Sequence, residues 1–350
     1  MSFNVAVIGV GRMGRHHART FAAKPDANLV AVVDADLDAA EEVAAQRDCK
    51  AFATCEEIVD LVDAVIVATP TIAHLDCARP FVLAGKHVLI EKPFCEDPVQ
   101  GQALIDLAKT TGSMLQVGHT ERFNPASVAL RKYDIHPKFI EAHRISPYTF
   151  RSADVGVVLD MMIHDIDLVL GYARSDVVDI DAIGVNVIGN TEDICNTRLR
   201  FASGCVANIT ASRLAIKSER KMRIFSEEHY LSIDYGKQCG LVVEKAKNLD
   251  LIQMARDMDV DDIAQLAQTA DYKDLLSVEE LHPDENMADP LTLQAEDFRQ
   301  CVEEGKAPFC SAENGLQAVI VAKKIVEAIE QHAWDGTATG RAGFDILSKE

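Results

Sequence analysis

A lysine and a histidine, each set in apolar surroundings, are the side chains of this sequence best placed to move a proton. Lys92 stands in Glu91-Lys92-Pro93, directly after the apolar run His87–Ile90. By composition alone such a lysine could equally be a surface charge. The buried run before it and the stiffening proline after it favour the carboxyl end of a parallel strand, where open α/β sheets bind their ligands. Ala68-Thr69-Pro70 ends another apolar run and brings a hydroxyl to the same edge. His164 falls within Val157–Leu170, a helix candidate that is apolar nearly all round and is therefore predicted to be buried. Asp160, His164 and Asp167 stand at i, i+4 and i+7 and share one stripe of that helix. Burying the stripe unpartnered would cost about 1–3 kcal/mol per unsatisfied group, so it must face a polar cavity or a ligand. A histidine flanked by carboxylates suits a general base, because its ordinary pKa lies near neutrality and a carboxylate can orient the ring. Asp165 lies off the stripe, as a structural hydrogen-bonder or an exposed group. His-Asp-x-Asp also raises metal ligation, but no companion His or Cys set has ligand spacing, so no metal is expected.

A second chemistry is written near the start. Gly9-Val10-Gly11-Arg12-Met13-Gly14 follows a strand candidate and opens a helix candidate, which sets free backbone N–H groups and the positive helix end against a pyrophosphate. Gly9 permits the turn, Gly11 lets phosphate approach the backbone, and Gly14 lets helix pack on strand. Asp34 stands twenty residues beyond Gly14, at the end of the next strand candidate, where a carboxylate accepts hydrogen bonds from adenosine ribose hydroxyls. Asp34-Ala35-Asp36 would confront a 2′-phosphate with two carboxylates and no adjacent cation, so NAD is favoured over NADP.

The elements that position these residues form two patterns. Strand candidates Phe3–Ile8, Asn28–Val33, Lys50–Phe52, Ala64–Ala68, His87–Ile90 and Met114–Gly118 alternate with amphipathic segments, the order of a parallel sheet with helices on both faces. Thr54 with Glu57 reads as a capping box, Asp97-Pro98 as a helix start, and Gly85 and Gly112 as stops. Beyond about Gly118 the runs alternate side by side, as in Ile194–Phe201 and Cys205–Ser212, with further candidates Phe139–Ser146, Val177–Val187, Lys221–Phe225 and Tyr230–Tyr235. That is a large, mostly antiparallel sheet. The expected organisation is an α/β nucleotide-binding domain over 1–119 and an α+β domain over 120–350 that binds substrate and carries the oligomer contacts. The second domain closes with helices around Leu291–Glu304 and Ala312–His332. An acidic stretch at about 250–289 reads as a helical insertion, a mobile flap or a solvated surface element. The open face of so broad a sheet calls for cover by a second subunit, hence a homodimer or homotetramer.

Composition narrows the partners. The net charge of −20 opposes attraction to nucleic acid and to anionic lipid. No stretch is long enough to span a bilayer, and the start lacks the basic flank of a secretory signal. Nine cysteines without a C-x-x-C pair read as free thiols in a reducing cytoplasm.

With these motifs in hand, the chain resembles the Gfo/Idh/MocA family of oxidoreductases over nearly its whole length. The carriers are Ala6–Gly14, Ala68-Thr69-Pro70 with His74, Ala84–Pro93, and Leu159-Asp160 with His164. The resemblance implies an N-terminal Rossmann domain, a C-terminal domain with an open sheet, NAD(P) at their junction and frequent dimers or tetramers. It places Lys92, Asp160 and His164 at the family's active-site positions. The expected cofactor contacts are Gly9, Gly11, Arg12, Met13, Gly14, Asp34, Thr69, Pro70, His74, Glu91 and Lys92. Gly118-His119-Thr120-Glu121-Arg122-Phe123-Asn124-Pro125 and the run from Arg144 through Arg151 to Asp160 look like the version found in UDP-N-acetylglucosamine 3-dehydrogenases. Arg122, Arg144 and Arg151 could then supply a fork for a nucleotide-sugar diphosphate. The expected activity is oxidation of a sugar ring hydroxyl, at C3 of such a substrate. His164 serves as base, Lys92 as donor to the hydroxyl, and Asp160 orients His164 or binds a neighbouring hydroxyl; Lys92 and His164 could exchange roles. The alternatives are the same chemistry on an inositol or monosaccharide, and a catalytically silent NAD-responsive regulator.

Overall fold

The computed structural model describes residues 3–149, 155–188, 190–245, 276–282 and 287–332. The chain forms two compact units. The first gathers Met1–Asn124, Val158–Gly171 and Ala288–Glu327, and the second holds Pro125–Val157, Tyr172–Met287 and Ala328–Glu350. This differs from a single boundary after residue 119, because the chain returns twice to the first unit.

Six strands make the sheet of the first unit: β1 (Phe3–Ile8), β2 (Ala27–Val33), β3 (Lys50–Phe52), β4 (Ala64–Val67), β5 (His87–Glu91) and β6 (Leu115–Gly118). They run parallel in the order β3-β2-β1-β4-β5-β6. That is the doubly wound dinucleotide-binding order, whose ligand crevice opens between the carboxyl ends of β1 and β4. Val5, Val7, Ile66 and Leu89 are fully buried, as strands covered on both faces require. The crossover helices are α1 (Arg12–Ala22), α2 (Leu37–Arg47), α3 (His74–Leu83) and α4 (Pro98–Thr111). Asp97 caps α4 through Val99 N–H at 2.8 Å, and Gly112 ends it at φ 76°. Thr54 makes only half of the expected capping box, its N–H and its hydroxyl both donating to Glu57 Oε1 at 3.2 and 2.9 Å, and the segment that follows is a 3-10 turn over Glu56–Leu61 rather than an α-helix.

Two late helices complete this unit. The α7 helix (Pro290–Glu304) sets Phe298 edge-on against Phe3, centroids 6.3 Å apart, within the core cluster that includes Val5 and Val7. Truncating such a ring to alanine costs about 3–5 kcal/mol. The α8 helix (Ala312–Gln331) approaches β6 so closely that a Cβ on Gly315 would meet Val117 at 2.6 Å.

The second unit carries an eight-stranded sheet. Its strands are β7 (Pro137–Ile145), β8 (Val177–Val185), β9 (Ile194–Phe201), β10 (Val206–Ser212), β11 (Glu219–Ser226), β12 (His229–Asp234), β13 (Cys239–Lys245) and β14 (Leu276–Leu281). The order is β14-β13-β12-β11-β7-β10-β9-β8, antiparallel except for the pair β7 and β10. Burial alternates along β9 from residue to residue, so one face is packed and the other is not. A short helix, α5 (Pro125–Leu130), precedes the sheet. Of the acidic stretch, β14 extends the sheet edge on β13, and residues 246–275 and 283–286 lie outside the described residues.

Candidate active site

The cofactor edge begins with the turn after β1. Gly9 takes φ 85°, and a Cβ there would lie 2.7 Å from the Ala68 carbonyl. At Gly14 a Cβ would fall 1.7 Å from the Gly9 carbonyl, which is why the helix can start so close to the strand. A Cβ on Gly11 would meet nothing within 4 Å. That open face lies at the N-cap of α1, where no side chain caps the first N–H groups. The combination is a cradle for an anion. Arg12 and Met13 are exposed on the first turn.

Asp34 is already oriented: Oδ2 accepts from Val10 N–H at 2.8 Å and Oδ1 from Asp36 N–H at 3.0 Å. Further lone pairs could accept from ribose hydroxyls. Arg15, whose charge reaches Asp34, is engaged elsewhere, with Nη2 on Glu42 at 2.8 Å and Nε on the Val10 carbonyl at 3.1 Å. The cradle and the fixed carboxylate therefore fit NAD, and the Arg15 guanidinium is already committed to Glu42.

His74, expected as a cofactor contact, instead joins the ends of β4 and β5. Its Nε2 faces the Thr69 carbonyl and its Nδ1 the Pro93 carbonyl, both at 2.9 Å. Burial pulls its pKa down, against the two carbonyls, which favour the imidazolium. Through this clamp it holds Thr69 and Pro70 beside the cis peptide Lys92-Pro93.

Glu91 is likewise turned inward. It is 6% exposed, its Oε1 accepting from His17 Nε2 at 2.7 Å and its Oε2 from Lys92 N–H at 3.2 Å. Burial pushes its carboxyl up, but the His17 hydrogen bond and the Lys92 contacts outweigh it and hold the pKa below the usual value. A Cβ on Gly118 would meet that carboxylate at 2.8 Å, so glycine is needed beside it. Glu91 thus sets the backbone that aims Lys92.

Lys92 reaches Asp160. Its Nζ donates to the Asp160 carbonyl at 2.7 Å and stands 3.8 Å from Asp160 Oδ1, with both side chains partly open to solvent. The predicted helix divides here: Val158–Met162 is π-helical and α6 (Ile163–Ala173) follows. Wide π turns of this kind recur at functional sites. Asp160 and His164 are half-buried while Asp167 is 1% exposed, so the stripe does not face one cavity along its length. Asp165 is buried as well.

Asp167 has its own partner, and this alters the reading of Arg122. Arg122 Nε donates to Asp167 Oδ2 and Nη2 to Oδ1, each at 2.7 Å, and Nη1 reaches the Phe309 carbonyl at 3.3 Å. A buried fork occupied by a carboxylate is not offered to a diphosphate. Arg144 lies on β7 of the second unit at 4% exposure, and Arg151 lies outside the described residues. The structure therefore brings Lys92 to Asp160 and Arg122 to Asp167.

Two contributing histidines went unread in the sequence. His17 shares the buried face of α1 with Gly14, Ala18 and Phe21, and an imidazole on that face was the available signal. His119 follows β6 and meets the His164 ring edge-on, centroids 6.5 Å apart. In the second unit, Arg213 pairs with Asp193 at 2.7 Å and donates to the Val155 carbonyl at 2.7 Å, fixing the segment just before the π-helical turn. Among the described residues, no three His, Cys, Asp or Glu side chains gather as a metal site.

Comparison with known proteins agrees with this geometry. Residues 3–119 match the oxidoreductase family with an NAD-binding Rossmann fold, and residues 133–232 match the GFO/IDH/MocA C-terminal domain. A UDP-N-acetylglucosamine 3-dehydrogenase from Acidithiobacillus ferrooxidans is 34% identical over 93% of this chain and 96% of its own. A solved structure of the enzyme of that name from the same organism superposes with TM-score 0.82 at 31% identity, over 94% of this chain and 98% of that one. An inositol 2-dehydrogenase from Rhizobium meliloti is 31% identical over 61% of this chain and 70% of its own. Levoglucosan dehydrogenase in complex with NADH shares the fold, with TM-score 0.79 at 21% identity over 94% of this chain and 97% of that one. The chain belongs to the Gfo/Idh/MocA family of NAD-binding oxidoreductases.

Proposed function

We propose that this chain is an NAD-dependent dehydrogenase that oxidises a ring hydroxyl of a nucleotide sugar, C3 of UDP-N-acetylglucosamine, to a ketone. NAD, bound over Gly11 and against Asp34, supplies the hydride acceptor. The residues of the chain handle the proton. His164 removes it from the hydroxyl, and Lys92 donates a hydrogen bond to the same oxygen as negative charge develops. Asp160 orients the ammonium through its carbonyl and can bind a neighbouring hydroxyl. The observation that carries this reading is the contact of Lys92 Nζ with the π-helical turn at Asp160, 2.7 Å from its carbonyl and 3.8 Å from its carboxylate. An ammonium held between two acceptors is suited to donating, which favours His164 as the base.

The choice of substrate is supported by the relative of that name, similar along almost the full length of both chains. A free polyol is the second reading. It is favoured by the similarity to an inositol 2-dehydrogenase and by the engagement of Arg122 with Asp167, which removes one diphosphate ligand. A silent regulator would have no use for the Lys92–Asp160 contact. Cytoplasmic residence accords with the free cysteines, and a homodimer or homotetramer with the apolar Val178, Phe225 and Val278 exposed on the eight-stranded sheet. Incubation with NAD and either UDP-N-acetylglucosamine or myo-inositol, monitored by nicotinamide absorbance, tests the reading. Reduction with the first and not the second is expected, and the reverse would establish the polyol.

A further inference from the structure

His17 has no part in the reaction as described, yet it is an imidazole at 1% exposure on the helix whose first turn forms the cofactor cradle. It lies one turn beyond Gly14, on the face of α1 that also buries Ala18 and Phe21. Its Nε2 donates to Glu91 Oε1 at 2.7 Å. A carboxylate only accepts, so that nitrogen carries a proton. Nδ1 is buried as well and has no hydrogen-bond partner among the described residues, so the bond to Glu91 is the one that fixes the ring. Glu91 passes the contact on, its Oε2 accepting from Lys92 N–H at 3.2 Å.

We propose that His17 is a positioning residue for Lys92 that acts through Glu91: its Nε2–H stabilises the buried negative charge, and that charge braces the Lys92 backbone and steadies the ammonium that donates to the substrate oxygen. The inference rests on the dehydrogenase reading of Lys92. No proton moves along this chain of contacts during turnover. His17 and Glu91 hold the donor in place, and neither touches the substrate.

The surroundings of Glu91 show why it needs that support. At 6% exposure, burial is the largest influence on its carboxyl and favours the neutral form; the His17 hydrogen bond and the His17 charge come next, and Lys92 follows. On the far side the backbone closes in, since a Cβ on Gly118 would meet the carboxylate at 2.8 Å. The other titratable groups that feel its charge are His119, after β6, and His74, on α3. His74 commits both ring nitrogens to the Thr69 and Pro93 carbonyls, and the His119 nitrogens have no hydrogen-bond partner among the described residues, so neither replaces His17. Without the His17 donor, burial is opposed chiefly by Lys92, and a carboxyl at this depth takes up a proton near neutrality. A neutral carboxyl gives Lys92 no counter-charge and accepts more weakly from its N–H.

The test compares His17→Leu, which cannot donate, with His17→Gln, whose amide can, in the full chain with NAD bound. Difference infrared titration reads the carboxyl directly, the band of neutral Glu91 being identified by its absence from Glu91→Gln. That band should appear by about pH 6 in the leucine variant and stay absent there in the unaltered protein and the glutamine variant. Turnover of His17→Leu should fall about tenfold at about pH 6 and recover as pH rises and Glu91 ionises, while His17→Gln keeps most of its turnover. In the Glu91→Gln background His17→Leu should add nothing, as a residue acting only through Glu91 requires. An unchanged infrared titration, a loss of turnover equal at every pH, or an undiminished effect in the Glu91→Gln background overturns the proposal. Should the leucine variant fail to fold, nitrogen NMR of the unaltered protein decides, because the proposal requires a proton on His17 Nε2 at neutral pH and an unprotonated Nε2 overturns it. No turnover of any sugar by the unaltered protein overturns the dehydrogenase reading instead, and the infrared titration still decides whether His17 holds the Glu91 charge.

Discussion

Substituting Arg122→Ala separates two uses for one guanidinium. If Arg122 binds a diphosphate, its loss raises KM and leaves folding intact. If its partner is Asp167, its loss strands a carboxylate that is 1% exposed. The pair makes two hydrogen bonds of 2.7 Å in a fork geometry, and the guanidinium also lies 5.9 Å from the centre of the Phe309 ring. Removing one partner of such a buried pair costs about 3–5 kcal/mol, most of it from the charge left behind. For a unit of this size each kcal/mol lowers Tm by about 2–4 °C, so the variant should melt about 6–20 °C below the unaltered protein. Adding Asp167→Asn removes the stranded charge and should recover part of that loss, a coupling read from the double-mutant cycle. Thermal and urea unfolding supply the numbers. A stability loss under about 1 kcal/mol together with a raised KM for the nucleotide sugar would refute the pairing and return Arg122 to the substrate.

Two glycines should part company in the same loop. Gly14→Ala, whose Cβ would fall 1.7 Å from the Gly9 carbonyl, should destabilise the fold, whereas Gly11→Ala, which meets nothing within 4 Å, should melt normally and bind NAD at least about tenfold more weakly by calorimetry. Glu91→Gln tests the inward carboxylate through pH. Because the folded pKa of Glu91 lies below its ordinary 4.5, its contribution is complete above that value and is lost as pH falls through the folded one. The gap in urea midpoint between the two proteins should therefore be widest at neutral pH and shrink in acid, and a gap independent of pH would remove Glu91 from the account.

The first sheet was legible because its strands are apolar runs closed by punctuation with a mechanism: Gly9 turns, Asp97 caps, Gly112 stops. The cofactor cradle was legible for the same reason, since Gly11 and Asp34 act through local backbone geometry. Arg122 was not. Its partner Asp167 lies on another element, and nothing in local spacing tells an arginine that forks onto a carboxylate from one that forks onto phosphate. The return of Val158–Gly171 and Ala288–Glu327 to the first unit is likewise a matter of long-range packing. Sequence neighbourhood alone puts both in the second domain. The strands β13 and β14 escaped notice because Cys239–Lys245 and Leu276–Leu281 carry no clean alternation and lie far apart in the chain. The polar stripe was half legible. Its charges were visible, but the π turn at Val158–Met162 changes its phase, so Asp160 goes to Lys92 while Asp167 goes to Arg122.

The most direct measurement is the fate of one hydrogen atom. UDP-N-acetylglucosamine carrying deuterium at C3 is mixed with the protein and NAD, and the reduced nicotinamide is analysed by mass spectrometry. Direct hydride transfer from that carbon requires the reduced cofactor to carry deuterium at C4. Reduced cofactor containing only protium, or none formed while myo-inositol reduces NAD freely, would contradict it.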